Sequence, residues 1–161
     1  MSNFEKVKEF SKTFGVPIYN EPQLNITKSN PELVKLRKDL IVEECKELVE
    51  AIENHDFTEI VDALSDILYV VYGAGASFGV NLDKAFDIVH ASNMSKVCKT
   101  EAEAITTVAW YKKNEIDVYD SPEYRLSDDK KYWIVFNKST GKILKSVNYI
   151  KVAFKMDTLK L

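Results

Sequence analysis

Nine carboxylates stand against a single lysine between Glu43 and Asp66, and their spacing is that of helix faces. Glu43-Glu44-x-x-Glu47 forms one group and Glu59-x-x-Asp62-x-x-x-Asp66 a second. Residues three and four apart on a helix are neighbours, with Cβ atoms about 5–6 Å apart. Glu43 and Glu44 therefore both adjoin Glu47, and Glu59, Asp62 and Asp66 share one face. Crowded carboxylates repel one another, and burying them unpaired is costly. A hard divalent cation resolves the conflict. Mg2+ takes oxygen ligands and keeps several waters, which leaves places for substrate phosphates. Two such ions can clamp the attacking and leaving oxygens of a phosphoryl displacement. A solvated helix face is the commoner use of an EExxE pattern. Two features favour a metal here: Asp62 and Asp66 interrupt the apolar run from Ile60 to Leu68, and almost no Lys or Arg lies at helical spacing to offset them.

The elements that must carry these groups are helical. Phe4, Val7, Phe10 and Phe14 recur at helical intervals and end at Gly15, with Pro17 beyond. Residues 15–30 have no clear period and read as a loop. Asn30-Pro31 opens a helix with Asn as cap and Pro at its first position. Leu33, Leu36, Leu40, Leu48 and Ile52 carry its apolar stripe to about residue 53. Asn54-His55 breaks it, and Asp56-x-x-Glu59 has the form of a capping box. The next helix, about 57–77, is apolar nearly all round after Asp66, which predicts a central, buried position. The short connection makes these two helices antiparallel neighbours whose acidic faces can oppose each other. A fourth helix begins near Asn81 and runs through Lys96, and Thr100-x-x-Glu103 starts a fifth that reaches about Asn114. Residues 115–131 are polar and irregular. Tyr132–Phe136 is a strand, Asn137–Gly141 a turn, and Lys142–Val147 the returning strand. The expected fold class is all-α: a helical bundle of about five helices with a small C-terminal β-hairpin appendage. Residues 1–98 form the core, and residues 99–161 a helix-plus-hairpin extension of the same domain.

The 161 residues carry a net charge of −3, which gives no global field for nucleic acid or an anionic membrane. No run approaches the roughly 18 consecutive apolar residues of a membrane span. Cys45 and Cys98 form no CxxC, and the N-terminus lacks a secretory apolar region. A reduced, cytoplasmic location is expected, with no nucleic-acid or membrane partner. With only His55 and His90 present, and no Glu-x-x-His pair, a His-rich zinc or di-iron site is disfavoured.

Glu43-Glu44-x-x-Glu47, Glu59-x-x-Asp62-Ala-Leu-x-Asp66-Ile-Leu-Tyr69 and Ser92-Asn93-Met94-Ser95-Lys96, in that order, resemble the MazG-like all-α nucleotide pyrophosphatases. The nearest branch is the phosphoribosyl-ATP pyrophosphohydrolase-like one, and the resemblance spans about Phe4 to Lys96. It implies Mg2+-dependent (possible also with Mn2+) hydrolysis of a nucleoside triphosphate, (d)NTP, to (d)NMP and pyrophosphate. It also implies that Glu43, Glu44, Glu47 and Asp62 hold the metal, with Glu44, Glu47 and Glu59 in the catalytic group. Glu59 would be a ligand or orient the attacking water. Asn93 and Lys96 would meet the nucleotide, and a homodimer or homotetramer is implied. Ala91 departs from the pattern, standing where an Arg is frequent. Rival readings are a hydrolase of another pyrophosphate, such as phosphoribosyl-ATP or dUDP, and an inactive helical interaction module.

Among the remaining candidates, Asp66 reads as a supporting carboxylate or ion-pair partner, and His90 as a core or interface residue. Tyr69, Tyr72, Trp110 and Trp133 read as packing residues, and Gly73 and Gly75 as a site of close helix approach. Six lysines against one aspartate lie from Trp133 to the end. Lys142 and Lys145 are expected on the returning strand as edge lysines, with at most one reaching substrate phosphate.

Overall fold

The computed structural model describes residues 1–114 and 117–161. The fold is all-α with a small hairpin, as expected. The helices are α1 (Asn3–Thr13), α2 (Ile26–Ser29), α3 (Pro31–Glu53), α4 (Phe57–Phe78), α5 (Leu82–Met94) and α6 (Glu101–Lys113), and the strands are β1 (Pro122–Leu126) and β2 (Trp133–Asn137). The four-residue α2 lies within the stretch read as a loop.

Local chemistry sets the helix ends. Asn30 Oδ1 accepts the Leu33 amide at 3.2 Å, with Pro31 at the first position of α3. Asp56 Oδ1 accepts the amides of Thr58 at 3.0 Å and Glu59 at 3.2 Å. Between them His55 adopts a left-handed φ of 56°, which closes the turn from α3 into α4. Gly79 ends α4 with φ 75°, and a Cβ there would lie 1.9 Å from the Glu21 carbonyl oxygen, so no other residue fits. Thr100 accepts the Glu103 amide at 3.2 Å, while the Glu103 carboxylate reaches one residue further back than a capping box requires, to the Lys99 amide.

The chain forms two compact units, Met1–Phe86 with Phe154–Leu161, and Asp87–Ala153. In the first, α3 and α4 pack as a helical hairpin and α1 lies along the C-terminal half of α4. The Phe4 ring sits 5.9 Å from that of Tyr72, and Phe10 meets Tyr69 edge-on at 5.6 Å. The final residues belong to this unit: Leu159 is buried and its carbonyl accepts the Asn81 amide at 2.8 Å.

The expectation of a central, buried α4 holds for its C-terminal part and is corrected for the rest. Gly73 to Ser77 are buried, but Val61, Leu64 and Leu68 are 49%, 48% and 55% exposed. The contacts of α1 fall on the C-terminal half of α4, and its N-terminal half has α3 as its neighbour. Among the described residues, α4 is the one helix with the length and apolarity of a membrane span. It carries the acidic stripe and packs against α1 and α3.

In the second unit, Cys98, Ala104, Val108, Tyr111, Val135 and Leu144 form an apolar core, with Trp133 and Tyr124 against it. The hairpin exists, but its strands differ from those expected. β2 pairs antiparallel with β1, which precedes it, in the register Pro122 to Asn137 and Leu126 to Trp133. The chain does turn at Gly141, φ 71°, yet only a single bridge, Phe136 to Ile143, joins the returning segment to β2. Part of the region read as irregular is therefore a strand; residues 115 and 116 lie outside the described residues. Asn137, wholly buried, explains the arrangement. Its Oδ1 accepts the Ser121 amide at 2.9 Å, and its Nδ2 donates to Asp120, Ser139 and Thr140, so the residue read as the first of a turn is a polar core clamp. Helix α5 stops at Met94, with Ser95 and Lys96 in the following turn. Trp110 is exposed, contrary to its reading as a packing residue, and His90 is exposed in the single chain, which leaves the interface alternative of its reading.

Candidate active site

The acidic stripes lie on α3 and α4, which pack against each other as a helical hairpin. Of the expected residues, Glu43, Glu47, Glu59 and Asp62 are exposed, and Glu44 is half-buried. Glu44 Oε2 is out of solvent and has no hydrogen-bond partner. Burial pushes the Glu44 carboxyl above the usual range, and repulsion from Glu47, Asp66, Glu43 and Asp62 pushes it further. Asp62 and Asp66 of α4 thus lie near enough to Glu44 of α3 to repel its charge, and Glu59 is not among the acids acting on it. No salt bridge among the described residues involves any of them. Asp66 thus has no ion-pair partner there and instead adds to the negative field on Glu44.

The carboxylates line the hairpin and do not yet enclose a point: among the described residues no three His, Cys, Asp or Glu side chains converge closely enough to hold an ion as they stand. The donor set, all hard oxygens, and the orphaned Glu44 oxygen fit a hard divalent cation. Glu59 sits in the first turn of α4, where its charge also complements the helix N-terminus.

Asn93 and Lys96 belong to the second unit. Lys96 Nζ donates to Asn93 Oδ1 at 2.8 Å, which holds the ammonium over the end of α5. Their segment is pinned by the tail: Ser92 Oγ donates to the Ile150 carbonyl at 2.8 Å, and the Ile150 amide donates to Ser95 Oγ at 2.9 Å. Lys142 Nζ donates to the Tyr119 hydroxyl at 3.1 Å, and Lys145 lies 4.6 Å over the Tyr149 ring. Both lysines therefore have aromatic partners within their own unit.

One residue of this region escaped the sequence reading. Arg37, 8% exposed, lies seven residues before Glu44 on α3, so it occupies the same face two turns away. The signal was present in that spacing, but a single cation in a helix reads as surface until burial is known.

The chain is 31% identical to an uncharacterized protein of Acanthamoeba polyphaga mimivirus, over 99% of this chain and 96% of the relative. Residues 7–93, which contain both acidic motifs and the α3–α4 hairpin, match a family of pyrophosphohydrolases acting on nucleotide pyrophosphate, and the chain belongs to that family, the phosphoribosyl-ATP pyrophosphohydrolases.

Proposed function

We propose that the protein is a Mg2+-dependent nucleoside triphosphate pyrophosphohydrolase that cleaves between the α and β phosphates. The observation that carries this reading is Glu44: a half-buried carboxyl with one oxygen orphaned and repelled by the charges of Glu47, Asp66, Glu43 and Asp62. Such a group calls for a cation, and the family's chemistry supplies a polyphosphate to bring one. Glu43, Glu44, Glu47 and Asp62 would hold the ion. When bound, a divalent cation would polarise the phosphoryl oxygens and offset charge on the leaving pyrophosphate.

The chain's own groups have separable tasks. Glu59, exposed at the start of α4, would orient the attacking water and accept its proton. Glu44 and Glu47 keep the negative field that draws the cation, and the cation's charge would offset their mutual repulsion. Asn93 and Lys96 would contact the nucleotide, with the ammonium acting as a point charge on a phosphate oxygen.

A homodimer or homotetramer belongs to the same proposal. Exposed apolar residues recur at helical spacing on both helices of the hairpin: Val42, Val49 and Ile52 on α3, and Phe57, Val61, Leu64 and Leu68 on α4. Rows of this kind fit a bundle completed by a second copy.

The test is a panel of NTPs and dNTPs with Mg2+ or Mn2+, with pyrophosphate and orthophosphate read separately and phosphoribosyl-ATP as a further substrate. Pyrophosphate as the main product from a triphosphate supports the proposal. Orthophosphate as the main product, or turnover of phosphoribosyl-ATP alone, would overturn it.

A further inference from the structure

We propose that Arg37 is an anion-binding residue, whose guanidinium, enclosed where α3 meets α1 and α4, takes a phosphate oxygen of the nucleotide. This deepens the proposed function, and it rests on that reading for the nature of the ligand.

Arg37 is 8% exposed, and its Nε and Nη2 are out of solvent with no hydrogen-bond partner. It forms no salt bridge among the described residues. Burial lowers its pKa, but a guanidinium starts so high that it keeps its charge. The charge is therefore uncompensated in the ligand-free chain. Removing one partner of a buried pair is strongly destabilising because it leaves such a charge behind. A side chain kept in this state is waiting for an acceptor from elsewhere.

Helix α4 is shaped around it. A Cβ on Gly73 would lie 3.1 Å from Arg37 Nη1, so the glycine keeps the guanidinium's place open. Glycine in a helix interior is less favourable than alanine. A hairpin built for stability alone would carry alanine at 73 and an apolar residue at 37. The same Cβ would meet Val7 Cγ1 at 3.8 Å, so α1 packs against this stretch of α4 beside the guanidinium.

Arg37 and Glu44 lie on one face of α3, two turns or about 10 Å apart along the axis. One presents orphaned donors and the other an orphaned acceptor, and they do not pair with each other. A ligand that carries anionic oxygens and brings its own cation satisfies both ends. A metal-bound phosphate chain is such a ligand.

The experiment measures melting of the full-length protein in EDTA, with and without inorganic pyrophosphate, so neither metal nor turnover is involved. Wild type should melt higher with pyrophosphate. Arg37→Met should lose that shift and, without ligand, melt at or above wild type, since an unpaired buried charge has been replaced by an apolar side chain. With substrate it should raise KM at least tenfold and change kcat less, and Arg37→Lys should recover part of the binding. Gly73→Ala is the second variant, for use if Arg37→Met does not fold. It leaves the arginine in place but crowds it, and it should weaken the pyrophosphate shift although alanine favours the helix. An Arg37→Met protein that keeps the full shift, or that melts well below wild type while retaining it, overturns the proposal. A Gly73→Ala protein with an unweakened shift does so too. Arg37-dependent pyrophosphate binding without triphosphate hydrolysis would sink the proposed function and leave this site standing; hydrolysis with an unaltered Arg37→Met profile would do the reverse.

Discussion

The Asp56 carboxylate accepts the backbone amide of Glu59 at 3.2 Å, so the residue that starts α4 is tied to the first acid of its stripe. The bond satisfies one of the helix's free N-terminal amides, and a second goes to Thr58. Asp56→Ala should cost about 1 kcal/mol of stability, the usual cost of an N-cap loss. Asp56→Asn should recover most of it. Urea denaturation followed by far-UV circular dichroism measures both, and equal losses in the two variants would show that charge, and not capping, is what Asp56 supplies.

Asp120 offers a pH test in the second unit. Hydrogen bonds from Ser139 Oγ at 2.6 Å, Asn137 Nδ2 at 3.1 Å and Ser121 Oγ at 3.0 Å hold its carboxyl below the usual range. A depressed carboxylate contributes stability above its unfolded pKa, about 3.9, and that contribution is lost as pH falls through the lower folded value. Asp120→Asn should therefore melt below wild type at pH 6, and the gap should close towards pH 3. Both tryptophans, Trp110 and Trp133, lie in this unit, so their fluorescence reports its unfolding. A gap that is constant with pH would remove the carboxylate's ionisation from the account.

How far the sequence reaches depends on whether a signal is local. Asn30-Pro31, Asp56 and Gly79 each act within a turn of their own position, and each bounds a helix where the sequence placed it. The acidic motifs were equally legible, because helical spacing alone puts their members on one face. The β1–β2 pairing was not. Pro122-Glu-Tyr-Arg-Leu126 opens with a proline and alternates weakly, and its partner is selected by Asn137, a polar residue whose burial no window of sequence reveals. Arg37 was missed for the same reason. Its importance lies in being enclosed by α1 and Gly73, a long-range fact. The exposure of Val61, Leu64 and Leu68 was hidden by an opposite effect: their apolar character suggested burial, but hydrophobicity does not say whether the covering surface belongs to the same chain.

The tail is part of both units, so it cannot be shed as an appendage. Leu144 is 2% exposed within the second core, and Ser146 is buried beside it. Leu144→Ala should cost about 2–5 kcal/mol, as for other buried leucines. Deletion of residues 138–161 should destabilise the fold and not simply raise KM. Tryptophan fluorescence in urea checks both, and a cooperative wild-type midpoint for the truncated chain would return the tail to a peripheral role.

The exposed rows on α3 and α4 give a prediction about assembly. A chain of 18.4 kDa should sediment as a dimer or tetramer. Leu64→Glu combined with Leu68→Glu should shift it to monomer, because charges would enter an apolar contact without partners. Both positions are about half exposed in the single chain, so the monomer should stay folded. Wild-type protein that is monomeric at tens of micromolar would sink the assembly proposal.

The metal prediction has a sign that separates it from ordinary stabilisation. After burial, Glu47 is the largest cause of the strain on the Glu44 carboxyl. Without metal, Glu47→Gln removes a repelling charge and should raise the melting temperature slightly. With metal, it removes a proposed ligand. An ion at one hundred times its Kd stabilises the folded state by about 2.7 kcal/mol. For a protein of this size each kcal/mol moves Tm by about 2–4 °C, so wild type should gain roughly 5–10 °C in saturating Mg2+ or Mn2+. The variant should gain little. The crossing of the two proteins, with Glu47→Gln more stable in EDTA and less stable in Mg2+, is the signature of carboxylates assembled for a cation. A solvated acidic face would produce only the first half of it. An unchanged wild-type melting curve at millimolar metal would therefore remove the site, however the hairpin's acids are arranged.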